Sequence, residues 1–430
     1  MTFIPKGKPC HGIISLRGDK SVSHRLVLFS LLHNGEFTLE NLSQCEDVKT
    51  SIEICRKLGC EISENRNGIL TIKGAAKNFA HGRYELFCGN SGTTARLLCG
   101  LLAGCNGTFR LSGDSSLSKR PMVRVLKPLI QMGAEFEYKN DGLPITIFGK
   151  KKLNHISYSL PVASAQLKSA LLLAACSAEG KTSIFESTAT RDHTERLLHA
   201  LGASIYFCPG RIEFSGPFNS SGNFAFRVPG DISSAAFYIV AATLISGCDL
   251  TIENVLLSKA RIGFIEVLQR MGADISLSFD DSPYETTGSI RVRSVKRLRA
   301  TSITGKMIPC LIDELPALAS AMVFAEGESS VSGASELRVK ESDRIKALCD
   351  SLNILGIKNV EQPDGFCITG QPELKFSGTI DPGNDHRIAA ALSIMALRST
   401  SGFFIDNLYC TRVSFPEFFT DFLPTFGVEL

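Results

Sequence analysis

A chain of 430 residues exceeds one ordinary hydrophobic core, so two domains are the expectation. It is 44% apolar and 21% charged, a globular balance that excludes a disordered chain. With 46 lysines and arginines against 43 acidic residues, the net charge of +3 implies no polyanionic partner, and any basic site must be a local cluster.

In chain order, the N-terminal segment Met1 to Leu16 contains Pro5, Lys6, Lys8 and Pro9 and no long apolar run, so no signal peptide is expected. The motif from Gly18 to Arg25 comes next. It is polar, holds Lys20 and Arg25, and leads directly into the apolar run Leu26 to Leu32. Asp19, Ser21 and Ser23 are all suitable N-cap residues, so a helix is predicted to begin inside the motif. The free backbone N–H groups of that helix start, with Lys20 beside them and Arg25 about a turn in, predict an anion site.

The rest of the chain repeats one unit. A helical run ending in an apolar residue and Gly, followed by a strand, recurs at Gly59, Gly133, Gly202 and Gly272, with weaker copies at Gly356 and Gly427. Each of these glycines reads as a helix C-cap in the left-handed conformation. A second phrase, an apolar helix ending near a glycine before a strand, centres on Gly35, Gly107, Gly180, Gly247, Gly327 and Gly402. The two series interleave into six α+β units, which exceed one core, so three per domain is predicted, with a boundary near Arg227 to Gly230.

A short polar phrase leads the first helix of each unit. The phrases are Gly18 to Ser21, Gly89 to Thr93, Ser164 to Lys168, Gly230 to Ser234, Asp313 to Pro316, and Gly383 to Arg387. Similarly packed units would aim these six N-termini, positive before any lysine is counted, at one surface. Gly89 to Arg96 is neither a Walker A loop nor G-x-G-x-x-G, and its glycines predict close backbone approach to an anion. Second helices open near cations too, at Arg120, just before a proline predicted to occupy the first helical position, at Arg191, and at Arg338 to Arg344. The fourteen cysteines form no C-x-x-C pair and the eight histidines no H-E-x-x-H, so no metal site is predicted and the thiols read as buried and reduced. The longest apolar stretch, Ala235 to Ile245, is too short to span a bilayer.

Asp19 to Arg25, Gly89 to Thr93, Lys119 to Met122, Leu337 to Arg344 and Asn384 to Arg387, in that order, closely resemble the 5-enolpyruvylshikimate-3-phosphate synthase family of enolpyruvyl transferases, over about Lys8 to Glu417. The resemblance implies an α+β fold, a two-domain inside-out α/β barrel in which each domain is three βαβαββ units with helices inside and sheets outside. Residues 1–18 plus 229–430 would form a discontinuous phosphoenolpyruvate-side domain, and residues 19–228 a shikimate 3-phosphate-side domain. The implied reaction joins shikimate 3-phosphate to phosphoenolpyruvate and releases phosphate without cofactor or metal. The substrates together carry about five to six negative charges, at about −1.5 to −2 per phosphate.

By the same resemblance, Lys20, Ser21, Arg25, Ser164, Gln166, Arg191, Asp313 and Lys340 would bind shikimate 3-phosphate. Lys20, Gly92, Arg120, Gln166, Arg344 and Arg387 would bind phosphoenolpyruvate. Asp313 would take the proton of the attacking hydroxyl, and Glu341 or Lys20 would protonate the methylene carbon. Glu336, Arg412 before Val413 to Pro416, and Ser164-Ala165-Gln166 depart from the best-known pattern and resemble the second, often glyphosate-tolerant, class. The sister nucleotide-sugar transferase carries a reactive cysteine before an Arg-Pro pair, and the stretch Gly113 to Pro121 has none. An RNA 3′-phosphate cyclase or nucleic-acid module would want a basic stripe, against the near-neutral charge. The expectation is a monomeric cytoplasmic enzyme acting on small molecules, with no nucleic acid and no membrane.

Overall fold

The computed structural model describes residues 1–76, 82–150, 152–280, 282 and 284–430, with mixed helix and strand throughout. The chain divides into two compact units. Gly18–Val228, with Tyr284 and Glu285, make the first; Met1–Arg17, Pro229–Ser282 and Thr286–Leu430 make the second.

In the first unit the helices alternate in kind. Helices α1 (Lys20–Phe29), α3 (Gly92–Ala103) and α5 (Ala165–Ala175) are buried except at Lys20 and Ser21, at Thr93, and at Ala165 and Gln166. All of these exceptions lie in the first turn. Helices α2 (Glu46–Lys57), α4 (Val123–Gln131) and α6 (His193–Ala200) bury one face only, as amphipathic spacing dictates. Apolar residues all round a helix require other elements on every side, and α1, α3 and α5 find them partly in one another.

Three sheets accompany these helices, each with a parallel pair followed by an antiparallel hairpin. Arg83–Phe87 pairs parallel with Gly107–Ser112, which pairs antiparallel with Ile145–Gly149 and so onto Glu135–Tyr138. Ser157–Ser159 pairs parallel with Ala178–Phe185 in the same way. In the remaining sheet the first strand comes from the far end of the unit, Ser220–Arg227 lying parallel to His33–Glu40.

The second unit repeats the scheme. Helices α7 (Ile232–Leu244), α9 (Leu315–Val323) and α11 (His386–Arg398) are buried apart from Ser234, Arg387 and Arg398 and pack on one another, whereas α8 (Gly263–Arg270) and α10 (Arg344–Ile354) are half-buried. His11–Ser15, from the N-terminal segment, lies parallel to Asp249–Leu256. The last sheet breaks the pattern, because its antiparallel partner is Thr2–Ile4 rather than a following hairpin.

The recurring glycines have the predicted backbone. Gly59, Gly133, Gly202, Gly272, Gly356 and Gly427 follow helix ends with φ between +72° and +99°. A side chain there would be strained, which explains why the phrase survives between otherwise different copies. The expectation that Pro121 occupies the first helical position is not met. Asp141 Oδ1 accepts the N–H groups of Met122 and Val123 at 3.0 and 2.7 Å, and α4 starts at Val123.

Helices α3 and α5 approach through Gly100, where a Cβ would lie 2.0 Å from the carbonyl oxygen of Ala170. Backbone cannot yield as a side chain can, so Gly100→Ala must part the two helices. The expected cost is about 2 kcal/mol, a fall of roughly 5 °C in Tm by calorimetry. An unchanged Tm would show that this contact does not hold the helices together.

Candidate active site

The first turn of a buried helix is the one place where its polar groups can meet a ligand, and in the first unit each such turn has its own cap. Asp19 Oδ1 accepts the Val22 N–H at 3.0 Å, Ser91 Oγ the Thr94 N–H at 3.2 Å, and Ser164 Oγ the Leu167 N–H at 3.3 Å. These bonds hold the helix starts of the first unit and leave Lys20, Ser21, Gly92 and Gln166 at the turn itself.

Around α1, the Lys20 ammonium pairs with the Asp47 carboxylate at the start of α2. Arg25 is 2% exposed, and its three hydrogen bonds go to neutral oxygens: Thr194 Oγ1 at 2.8 Å, the Ser21 carbonyl at 2.8 Å and Ser169 Oγ at 2.9 Å. Burial pulls its pKa below the usual arginine value, Tyr284 and Glu195 work the other way, and Arg191 is close enough to depress it further. Two guanidinium groups near one another in low dielectric form a receptor for a multiply charged anion. His24, on the same helix, is held neutral by burial and by Lys20 and Arg25, and its Nδ1 joins the Ser51, Thr94 and Ser91 hydroxyls in a chain of 2.9, 2.8 and 2.7 Å contacts. That chain ties the starts of α1 and α3 to the middle of α2.

Around α3, two more guanidinium groups meet over a missing side chain. A Cβ on Gly92 would lie 2.8 Å from Arg96 Nη1 and 3.4 Å from Arg120 Nη1. Arg96 donates to Gln166 Oε1 at 2.6 Å and to the Pro121 carbonyl at 3.1 Å, while Gln166 Nε2 donates to Thr93 Oγ1 at 3.0 Å. The amide of Gln166 is thereby oriented. Arg120 donates to Asn90 Oδ1 at 2.6 Å, and Asn90 donates in turn to Asp114 at 2.6 Å.

The second unit gathers Asp313, Lys340, Glu341, Arg344 and Arg387 into one network. Lys340 Nζ donates to Asp313 Oδ1 at 3.3 Å, and Arg387 Nη1 to the Asp313 carbonyl at 2.6 Å. Arg344 donates to Glu341 at 2.6 Å and to Asp385 at 2.8 Å, with Asp313 3.8 Å away. Burial works against this charge, yet Asp385, Glu341 and Asp313 outweigh it and hold Arg344 above the usual arginine pKa. Asp385 also caps α11 through the Arg387 N–H at 2.9 Å. The start of α9 differs from the others. No side chain caps it, Pro316 stands in its first turn, and Asp313 and Glu314 precede it in a 3₁₀ turn.

Two residues of the sequence motifs stand outside these networks. Arg338 is taken up by Asp343, Glu361 and the carbonyls of Pro363 and Gln362, and the Arg412 guanidinium lies 4.8 Å from the Tyr409 ring. Sequence reasoning missed Arg96 and the role of Asp385. Arg96 had a signal: it is a cation four residues after Gly92 in an otherwise apolar helix, and so on the same face.

Residues 4–422 match the family described as EPSP synthase (3-phosphoshikimate 1-carboxyvinyltransferase). A 3-phosphoshikimate 1-carboxyvinyltransferase of Thermotoga neapolitana is 42% identical, with 97% of this chain and 98% of that protein covered. One from Halorhodospira halophila is 43% identical over 96% and 94%. Among solved structures, EPSP synthase from Acinetobacter baumannii superposes with a TM-score of 0.84 at 38% identity, covering 97% of this chain and 96% of that one. The enolpyruvyl transferase NikO from Streptomyces tendae, at 18% identity and a TM-score of 0.78 over 99% and 96%, shares the fold.

The buried network of the second unit makes acid stability predictable. Burial drives His386 from 6.5 down to about 3 despite the pull of Asp385 and Glu341. Between those values the unfolded chain binds a proton that the folded chain refuses, so stability falls as pH drops through that window. Burial alone would raise the Asp385 carboxyl, but Arg344 and His386 bring it below 3.8, so its contribution is present above that value and is lost further down. Urea midpoints should be lower at about pH 5 than at about pH 7, and His386→Gln should shrink the difference. An undiminished difference in that variant would remove His386 from the account.

Proposed function

Because the chain belongs to the EPSP synthase family, the 3-phosphoshikimate 1-carboxyvinyltransferases, we propose that its two networks divide that reaction into anion binding and proton transfer. The reaction moves the enolpyruvyl group of phosphoenolpyruvate to the 5-hydroxyl of shikimate 3-phosphate and releases phosphate, within aromatic amino acid biosynthesis. The observation that carries the division is the charge at the helix starts. The first unit presents Lys20, Arg25 and Arg191 around α1 and two converging guanidinium groups over Gly92, while the second surrounds Arg344 with carboxylates.

In this reading Lys20, Ser21, Arg25, Ser164, Gln166, Arg191, Asp313 and Lys340 bind shikimate 3-phosphate. Gly92 lets phosphoenolpyruvate come close to the backbone, where Arg120 and Gln166 bind it together with Lys20, Arg344 and Arg387. Bidentate guanidinium groups suit both its carboxylate and its phosphate. Asp313 accepts the 5-hydroxyl proton as the oxygen adds to C2 of phosphoenolpyruvate, and Glu341 gives a proton to the methylene carbon. The tetrahedral intermediate then loses phosphate, which leaves with the proton held by Asp313, while the methyl proton returns to Glu341, so both side chains regain their starting states. Asp313 suits its role because Lys340 and Arg387 fix it from the side chain and the backbone. Glu341 is fixed by Arg344.

The same reading makes residues 1–18 plus 229–430 and residues 19–228 the two domains, each an inside-out α/β barrel of three βαβαββ units. The buried first helices and the parallel-then-antiparallel sheets of each unit support it. It also takes the enzyme as a monomer of the cytoplasm.

Phosphate release tests these roles. The wild type should release phosphate from shikimate 3-phosphate plus phosphoenolpyruvate and none when UDP-N-acetylglucosamine replaces the former. Lys20→Met should abolish turnover, and near-normal activity would refute its bridging role. Asp313→Asn should keep shikimate 3-phosphate binding by calorimetry while kcat falls by roughly 10² or more. A variant that turns over normally would exclude Asp313 as the base.

A further inference from the structure

Lys168 lies on α5 one turn past the Ser164 cap, with its side chain only 1% exposed. Its ammonium donates to Glu195 Oε1 at 2.7 Å, Glu186 Oε1 at 3.1 Å and the Thr190 carbonyl at 3.4 Å. Three N–H groups thus meet three acceptors. Burial works against the ammonium, but the two carboxylates outweigh it and hold Lys168 above the usual lysine value. Burying three charged groups is costly, and well-packed apolar side chains commonly hold a fold as well, so the cluster calls for a use beyond packing.

What it grips indicates that use. Glu186 Oε2 accepts both the N–H of Thr190, at 3.2 Å, and its hydroxyl, at 2.8 Å, while Lys168 takes the carbonyl. Every polar atom of Thr190 is therefore held by the cluster. Arg191 follows at once, and Glu195 anchors the first turn of α6 on its other side. The neighbouring residue on α5, Ser169, holds Arg25 at 2.9 Å and the Thr194 hydroxyl at 2.7 Å. Two adjacent residues of one helix thus set the positions of both Arg25 and the loop that carries Arg191.

We propose that Lys168, Glu186 and Glu195 are positioning residues that hold the Arg191 backbone beside Arg25 for the phosphate of shikimate 3-phosphate. This rests on the reading of Arg191 as a ligand of that phosphate. Without the cluster, Arg191 would sit on a loop free to swing, and binding would have to order it first.

Steady-state kinetics of full-length variants test this. Glu186→Gln keeps the shape and removes the charge that receives Thr190. It should raise KM for shikimate 3-phosphate about tenfold, with kcat and KM for phosphoenolpyruvate changed by less than about twofold. Thr190→Val removes one of those hydrogen bonds, should raise the same constant less, and serves if Glu186→Gln does not fold. Arg191→Ala should raise that KM as well, and in its background Glu186→Gln should add nothing. If Arg191→Ala raises KM but neither Glu186→Gln nor Thr190→Val does, the positioning role is overturned and the phosphate contact stands. If Arg191→Ala leaves KM unchanged, the phosphate contact falls and the positioning role with it. Equal rises for both substrates, or a Glu186→Gln effect undiminished beside Arg191→Ala, would mark the cluster as purely structural and overturn the proposal.

Discussion

A helix buried on all sides has one way to take part in chemistry, through its first turn. Its interior must be apolar, and the chain leaves its carbonyl end for a strand. Its unsatisfied N–H groups all lie at the other end. Helices α1, α3, α5, α7, α9 and α11 obey this constraint, since their solvent-reaching residues are nearly all in or beside the first turn: Lys20, Ser21, Thr93, Gln166, Ser234 and Arg387. The fold therefore fixes where the site can be before any catalytic residue is chosen, and the partial positive charge at each start fixes the sign of its ligand.

Within that constraint the two units use buried arginines in opposite ways. The hydrogen bonds of Arg25 go to hydroxyls and a carbonyl, with the Glu195 charge acting from further off, so in the proposed reading a bound phosphate gains most from it. Arg344 pairs with three carboxylates, so its charge is shared among them and helps to hold them in place. In the proposed reading the family's reaction uses both kinds of arginine. It brings together two multiply anionic molecules and then moves protons between oxygen and carbon.

Sequence pattern alone went far because both features that build the site are local. Glycines forced into the left-handed region punctuate every repeat, and the Asp and Ser caps precede every capped start, so Gly133, Asp19 and Ser91 could be read without knowing any partner. What escaped were interactions between residues far apart in the chain. Asp141 displaces Pro121 as the feature that opens α4, and nothing near residue 121 announces it. Arg96 acts through Gln166, seventy residues away, and Lys168 through Glu186 and Glu195. Lys168 illustrates the difficulty best, since a lysine near a helix start reads as one more solvent-facing cation until the carboxylates around it are known.

The start of α9 shows how one repeated backbone can yield different chemistry. Elsewhere an aspartate or serine side chain serves as the cap, and a carboxylate engaged with backbone N–H groups, such as Asp19, Asp231 or Asp385, is poorly placed to accept a substrate proton. At α9, Pro316 has no N–H to satisfy, and a 3₁₀ turn brings the chain into the helix. The capping demand is reduced, and the Asp313 carboxylate pairs with Lys340 and Arg344, partners that suit the base proposed for it. In the proposed reading this is the helix start that carries the acid–base step, and a proline that looks like a mere helix opener contributes by lessening the backbone's competing claim on the side chain.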